Sequence, residues 1–395
     1  MILMPRRFPH TLTDEAAIMA DTASAPGAVL QEWEQAIARC AGTRHAVGLN
    51  SGRQGMTLIL KHLGIGAGDE VIVPAYTLGA LIPLVQALGA VAVPADVDLR
   101  TMNVTAASVA GRMTDKTKAV IVLHTFGAPA PVDEIARLAE SKGVAVVEDC
   151  AHSLGATLHG RATGSFGYAG FYSFEITKPV NTYGGGMVVS DNPELVDYIR
   201  DEIATLPADY TGLAGKVKAA RTERLMMTTG AAWPVLYMLS HPLTRNTLAA
   251  LYRSRQTVPS SGAAYTPVQA RLGLRKLESL DQRVAWRNRL AEKYRFALRP
   301  EVQIQDVMPG ARSTWYFLVA VLPVPAADVR LGLLRRGIDC AVGEEVADDT
   351  ATPLGYHDCP NAAHLQKHAV ALPMFDAMTE AQVARVARSL NAVLG

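Results

Sequence analysis

A chain of 395 residues, 49% of them apolar and 19% charged, can bury one large core and a second, smaller one. Its formal net charge of +1 leaves no global electrostatic case for a nucleic-acid partner. Four cysteines, Cys40, Cys150, Cys340 and Cys359, make neither a CxxC pair nor zinc-ligand spacing, so no metal is expected and free thiols in a reducing cytoplasm are.

The N-terminus, Met1-Ile-Leu-Met-Pro-Arg-Arg-Phe-Pro9, has too short an apolar run for a secretory signal. No uninterrupted apolar run of about 18 residues suggests a spanning helix. From about residue 45, short β-rich runs alternate with helical patterns. Strands are expected at 45–50, 70–75, 91–97, 119–126, 144–150, 169–174 and 187–190, and helices near 55–63, 78–88, 132–142 and 193–204. Several strands are continuously apolar, as in a sheet covered on both faces. The alternation predicts an α/β fold: a mainly parallel, doubly wound sheet, with ligands at the carboxyl ends of its strands.

Residues 203–260 break that rhythm. Leu225-Met226-Met227, Trp233 to Leu239 and Leu248 to Tyr252, followed by Arg253 and Arg255, read as apolar helices with a basic edge. Such helices could bury against the core or a second subunit, or could meet a membrane surface or a hydrophobic substrate. One long helix is expected from Pro267 to about Ala297, then a strand at 316–322 and helices at 327–336 and 380–394. The expected division is a large domain over 1–255 and a small C-terminal α/β domain over 256–395.

Three pieces carry chemistry. In Phe171-Tyr-Ser-Phe-Glu-Ile-Thr-Lys178-Pro, a strand ends at Ser173 and a lysine follows five residues later. A lysine on a loop above a strand end can form an imine with an aldehyde cofactor, although a lone lysine there is usually just solvated. Gly184, Gly185 and Gly186 would let backbone pass close to a bound ring or phosphate. In Val144-Ala-Val-Val-Glu-Asp149-Cys-Ala-His152, an apolar strand delivers Asp149 at its end. That carboxylate could pair with a protonated ring nitrogen, or simply cap a following helix. His152 could touch the ring, or be an ordinary structural histidine. In Leu49-Asn-Ser-Gly52-Arg53-Gln54-Gly, a turn opens a helix, and its N–H groups and dipole suit an anion. Many such turns bind nothing.

The order of these pieces is specific: anion turn, strand with Asp, Ser-x4-Lys, glycines. With Gly64-Ile-Gly-Ala-Gly-Asp-Glu-Val-Ile-Val-Pro-Ala-Tyr-Thr77, Ala95-Asp-Val-Asp98 and Gly160-Arg-Ala-Thr-Gly-Ser-Phe-Gly167, the chain resembles the DegT/DnrJ/EryC1/StrS family. These are the sugar aminotransferases among fold-type I enzymes that use pyridoxal 5'-phosphate (PLP). The likeness is strongest over about 25–205, and returns in Gln269-Ala-Arg-Leu-Gly-Leu and Leu372-Pro-Met-Phe-Asp-Ala-Met-Thr379.

The resemblance implies that Lys178 holds PLP as a Schiff base and moves protons, and that Asp149 faces the pyridinium nitrogen. It puts His152 at the phenolic oxygen, in place of a glutamine, and Ser173 with Gly52, Arg53 and Gln54 around the phosphate. It implies a homodimer whose small-molecule substrates are an amino donor, usually glutamate, and a keto sugar, which react in two halves. Arg53 could instead pair with a substrate carboxylate. The chain departs from the family in having Leu78 where a ring-stacking aromatic is usual. It lacks an Asn-x-Arg motif near Ser260-Ser-Gly-Ala-Ala-Tyr265, and has Gly343-Glu-Glu-Val-Ala-Asp-Asp349 where substrate-side histidines are expected. A lyase or dehydratase using PLP, or a non-catalytic regulator on this fold, is the alternative. The sugar-dehydrating relatives carry a histidine in place of Lys178.

Overall fold

The structure, a computed structural model, describes residues 3–20, 26–241 and 262–395. The stretch from Leu248 to Tyr252, Arg253, Arg255, Ser260 and the expected division at 255/256 lie outside the described residues.

The apolar runs form one seven-stranded sheet: β1 (His45–Leu49), β2 (Glu70–Pro74), β3 (Val91–Ala95), β4 (Thr117–Leu123), β5 (Ala145–Asp149), β6 (Ala169–Ser173) and β7 (Gly186–Ser190). Their order is β1-β7-β6-β5-β4-β2-β3. β7 runs antiparallel to both neighbours, and every pair from β6 across to β3 is parallel. Successive residues of a strand face opposite sides, so continuous apolar runs feed two cores. Ile72, Val120, Val122 and Val146 pack into one, and Val71, Val73, Ala119, Ile121 and Val147 into the other. The chain is the α/β fold expected, with a mainly parallel central sheet.

Ten of the helices are α1 (Pro26–Ala41), α2 (Gly52–His62), α3 (Val132–Glu140), α4 (Pro193–Ile203), α5 (Tyr210–Thr229), α6 (Trp233–Ser240), α7 (Pro267–Leu277), α8 (Leu280–Ala297), α9 (Ala326–Arg335) and α10 (Glu380–Leu394). The single long helix expected from Pro267 to Ala297 is in fact two, α7 and α8. No glycine or proline marks the break at Glu278 and Ser279, so the periodicity runs through it. Arg283 holds the corner: its Nη2 donates to the Lys276 carbonyl at 2.8 Å and its Nε to Ser279 Oγ at 3.1 Å. That satisfies a carbonyl which the interrupted helix leaves open.

A second, antiparallel sheet is built from β8 (Gln303–Ile304), β9 (Leu318–Val321), β10 (Ala341–Val342) and β11 (Ala369–Leu372), in the order β8-β9-β11-β10. Leu318, Ala320, Val370 and Leu372 share a core with Leu290 and Tyr294 of α8, Leu333 of α9 and Val386 of α10. Met4 lies in this core too. The N-terminal strap is pinned there: Met4 N–H donates to the Gly337 carbonyl at 2.8 Å, and Asp339 N–H to the Met4 carbonyl at 2.9 Å. Arg6 pairs with Asp339 and Glu345.

The helices α5 and α6 are only half absorbed. Leu213, Val217 and Ala220 pack against Tyr183, Val268 and Leu272, but Leu225, Met226, Val235 and Met238 remain exposed. No helix among the described residues is long and apolar enough to cross a membrane.

The glycine triplet allows close approaches within the chain itself. A Cβ on Gly185, whose φ is +101°, would lie 2.1 Å from the Tyr265 ring. One on Gly186 would lie 2.4 Å from the backbone nitrogen of Gly52. These glycines let β7 approach the turn after β1, and Tyr265 fills the space beside them. Gly186→Ala should therefore lower unfolding stability by about 1–3 kcal/mol or more, read as a fall in the urea midpoint. An unchanged midpoint would contradict this packing.

Candidate active site

All the parallel strands point the same way, so the loops after β1, β2, β4, β5 and β6 gather at one edge of the sheet. Asp149 is the last residue of β5 and is 5% exposed. Its Oδ1 accepts the Ala151 N–H at 2.9 Å. A turn rather than a helix follows it, so Asp149 is not a helix cap. Removal from water raises its carboxyl from an ordinary 3.8 to about 6, against the opposing pull of the Ala151 N–H, Lys178 and His124.

Lys178 sits on the loop between β6 and β7, half-buried. That loop is fastened at several points. Thr182 and Gly184 both donate their N–H groups to the Phe174 carbonyl, at 2.9 and 3.1 Å. Arg283 Nη1 donates to the Pro179 carbonyl at 2.6 Å, and Asn181 Nδ2 to the His10 carbonyl at 2.9 Å. Asn181 Oδ1 in turn accepts from the buried Lys276, which also pairs with Glu15 at 3.2 Å. A side chain on so well-tied a loop has few alternative positions.

The Lys178 Nζ lies 4.4 Å from the centre of the Tyr316 ring. His152 stacks on the same ring at 4.2 Å with a 12° interplanar angle, and Phe126 lies beyond His152 at 6.1 Å. Burial, with Lys178 nearby, holds the His152 imidazole well below its ordinary 6.5, so it is neutral. Its Nδ1 is buried with no hydrogen-bond partner among the described residues, as are Tyr76 Oη and Thr77 Oγ1. Tyr316 was not legible as a site residue, because it reads as one more strand position. Burial alone would raise its phenol. The cations of Lys178 and Arg7, with hydrogen bonds to Thr177 and Lys178, outweigh that and bring it below 10. The Thr177 contact is 2.9 Å.

The anion turn is present at the start of α2. Ser51 caps the helix by accepting the Gln54 N–H at 3.1 Å, so that particular N–H is already committed. Gly52 adjoins β6: a Cβ there would lie 3.0 Å from the Tyr172 carbonyl oxygen and 3.5 Å from Ser173 Cβ. The structure thus brings Gly52, Arg53 and Ser173 to one corner. Arg53 is half-buried, and burial lowers its guanidinium while Glu175 opposes.

Leu78 is 52% exposed and follows the two-residue strand Tyr76–Thr77, which pairs with Asp348–Asp349. It stacks on nothing within this chain's described residues. The acids in the place of the family's histidines are committed elsewhere: Asp348 Oδ2 accepts the Gly79 N–H at 2.7 Å, and Asp349 accepts from Ala351 and Thr352. The buried group His124, Glu148 and Cys150 has metal-like spacing. Glu148, however, accepts N–H groups from Gly164, Phe166 and Gly167 and a bond from His124 Nε2. His124 Nδ1 accepts the Ala130 N–H. That set is a hydrogen-bonded brace for the 164–167 turn.

The electrostatics of Asp149 have a measurable consequence. A carboxyl raised in the folded protein binds protons more tightly there than in the unfolded chain, so its contribution to stability falls as pH rises from about 4 to about 6. In cofactor-free protein, Asp149→Asn should remove that slope. The variant should gain on the wild type by up to about 3 kcal/mol between pH 4 and pH 7, measured by denaturant unfolding. Parallel pH profiles for the two proteins would contradict the raised carboxyl.

A family model described as the DegT/DnrJ/EryC1/StrS aminotransferase family matches residues 13–391. The spore coat polysaccharide biosynthesis protein SpsC of Bacillus subtilis (strain 168) is 28% identical over 385 residues, 93% of this chain and 90% of that protein. Among solved structures, S. venezuelae DesV, in complex with a ketimine intermediate, is 25% identical with a TM-score of 0.74, covering 96% of this chain and 94% of its own. The aminotransferase TlmJ from Streptoalloteichus hindustanus has the same fold, with a TM-score of 0.77 and 23% identity over 100% of this chain and 98% of its own. The chain belongs to the DegT/DnrJ/EryC1/StrS aminotransferase family.

Proposed function

We propose that this protein is a PLP-dependent aminotransferase that moves an amino group from glutamate to a keto group on a sugar-like acceptor. The observation that carries the reading is one cluster, in which Lys178 lies over Tyr316, His152 stacks on that same ring, and Lys178 acts electrostatically on Asp149. Family membership supplies the reaction class.

The residues fit the cofactor chemically. A buried acid with one hydrogen bond and a raised carboxyl is relieved by a cationic ring nitrogen. The buried, partnerless His152 Nδ1, Tyr76 Oη and Thr77 Oγ1 are polar atoms of the kind that a ring with polar substituents satisfies. Gly52 and Arg53 at the start of α2, with Ser173 at the end of β6 beside them, suit a phosphate. When bound, PLP supplies an electron sink for the electron pair left at the donor's α-carbon.

The chain's own residues do the rest. Lys178 takes the proton from the donor's Cα in the first half and delivers a proton to the acceptor carbon that gains the nitrogen in the second. Asp149 keeps a positive charge in place at the bottom of the site. His152, held neutral, offers a hydrogen bond without adding charge. Tyr316 limits where the Lys178 amine can go. Phe126, Phe317 and Tyr76 keep the surroundings apolar, so that each charge acts through a low dielectric.

The finer points are proposals of the same kind. A homodimer accords with the family likeness and with the exposed apolar side chains Leu78, Leu225 and Val235. A reducing cytoplasm accords with four free cysteines. A large and a small domain divided near residue 255 accord with the two sheets and their separate cores.

Protein loaded with PLP should be yellow, and glutamate should shift its absorption band. Lys178→Ala should lower turnover by at least about a thousandfold while the unfolding midpoint stays within the scatter of the wild type. Normal turnover in that variant, or a band that glutamate cannot move in the wild type, would overturn the reading.

A further inference from the structure

The corner between α5 and α6 exposes apolar and basic side chains together. Gly230, in the left-handed region at φ +78°, ends α5, and the Ala232 N–H donates back to the Met226 carbonyl at 3.1 Å. Leu225, Met226 and Val235 therefore lie within about one turn of the same corner. All three are exposed, Leu225 to 62%. The other side of each helix is already packed. α5 buries Leu213, Val217 and Ala220, and Trp233 of α6 donates its Nε1–H to the Leu334 carbonyl of α9 at 3.4 Å.

Helical spacing carries the exposed face back along α5. Lys218, Arg221 and Leu225 follow one another at three and four residues, so they share a side. With Ala16 and Met19 of the short helix Glu15–Ala20, and with Ala214 and Val217, these two cations line an open groove of about 430 Å³. Neither has a carboxylate partner among the described residues, whereas Lys216 lies 3.6 Å from Glu175. Glu223, the one acid between Tyr210 and Ser240, is two residues beyond Arg221 and turns to another side of the helix.

We propose that this face rests on the surface of an anionic phospholipid membrane. The inference goes beyond the aminotransferase reading and does not depend on it. Exposed apolar side chains alone would suit a second copy of the chain equally well, and charge separates the two. In a two-fold contact a patch meets itself, which would bring unpaired like charges together. An anionic bilayer supplies the opposite charge across the whole face. Leu225, Met226 and Val235 enter the headgroup boundary, while Lys218 and Arg221 reach phosphate along their own apolar stems. No crossing of the bilayer is involved, and neither helix is long and apolar enough for one.

The test sediments the full chain with vesicles of phosphatidylcholine alone, and of phosphatidylcholine mixed with phosphatidylglycerol. The wild type should bind the mixed vesicles only, and less as salt is raised. A cation near the surface is worth about fivefold in binding, so Lys218→Gln with Arg221→Gln should weaken it about thirtyfold. Leu225→Gln with Val235→Gln should also weaken it. Lys116→Gln with Lys118→Gln removes two exposed cations at the start of β4 instead, and should bind like the wild type. All these side chains are exposed, so the unfolding midpoints should agree, and the wild-type comparison needs no variant at all. No binding to mixed vesicles, equal binding to both kinds, or full binding by the variant at 218 and 221 would overturn the inference. So would an equal loss in the variant at 116 and 118, which marks a diffuse effect of charge. A dimer that the change at 225 and 235 dissociates, in a protein that ignores both vesicles, would give the face to a second copy.

Discussion

A carboxyl group at the carboxyl end of a buried parallel strand is out of water and in need of a cation, and the rest of the site follows from that. Asp149 has one hydrogen bond from Ala151 and a carboxyl pushed up to about 6. In a low-dielectric setting such a group either stays protonated or acquires positive charge nearby. Lys178 offers some, and a protonated ring nitrogen would offer more. The fold thus presents a buried carboxyl that added positive charge nearby would relieve. The same burial keeps His152 neutral, so one cause pushes both groups toward their uncharged forms.

Holding Lys178 in place takes residues far apart in the chain. Its loop is tied to α8 through Arg283, to α7 through Asn181 and Lys276, and to the N-terminal strap through the His10 carbonyl. Arg283 and Arg287 meet Asp376 at 3.2 and 2.6 Å, which carries the tie into the segment before α10. Tyr316 comes from β9's approach, with its N–H on the Phe126 carbonyl at 2.9 Å. The first and last parts of the chain therefore meet around the Lys178 loop.

Much of this could be read from residue order, because parallel strands buried on both faces announce themselves as unbroken apolar runs, and their ends then point to Asp149, Ser173 and Lys178. The terminal helix at 380–394 was read at its true bounds, and in the structure Thr379 and Gln382 form a capping box at its start. What escaped the sequence depends on contacts between distant segments. Tyr316 looks like any strand aromatic until β9 is laid beside the turn after β4. The break between α7 and α8 is made by a side chain, Arg283, and not by a helix-breaking residue. The glycine triplet is visible in the sequence, whereas its close approach to Tyr265 and to the Ser51–Gly52 backbone is not.

The central claim is a covalent one, so its most direct test is chemical. Reducing the PLP-loaded protein with borohydride and mapping its peptides by mass should find a single modified residue, Lys178, in the peptide that spans β6 and the glycine triplet. A modified lysine elsewhere, or no modification in protein that has demonstrably bound the cofactor, would contradict the account.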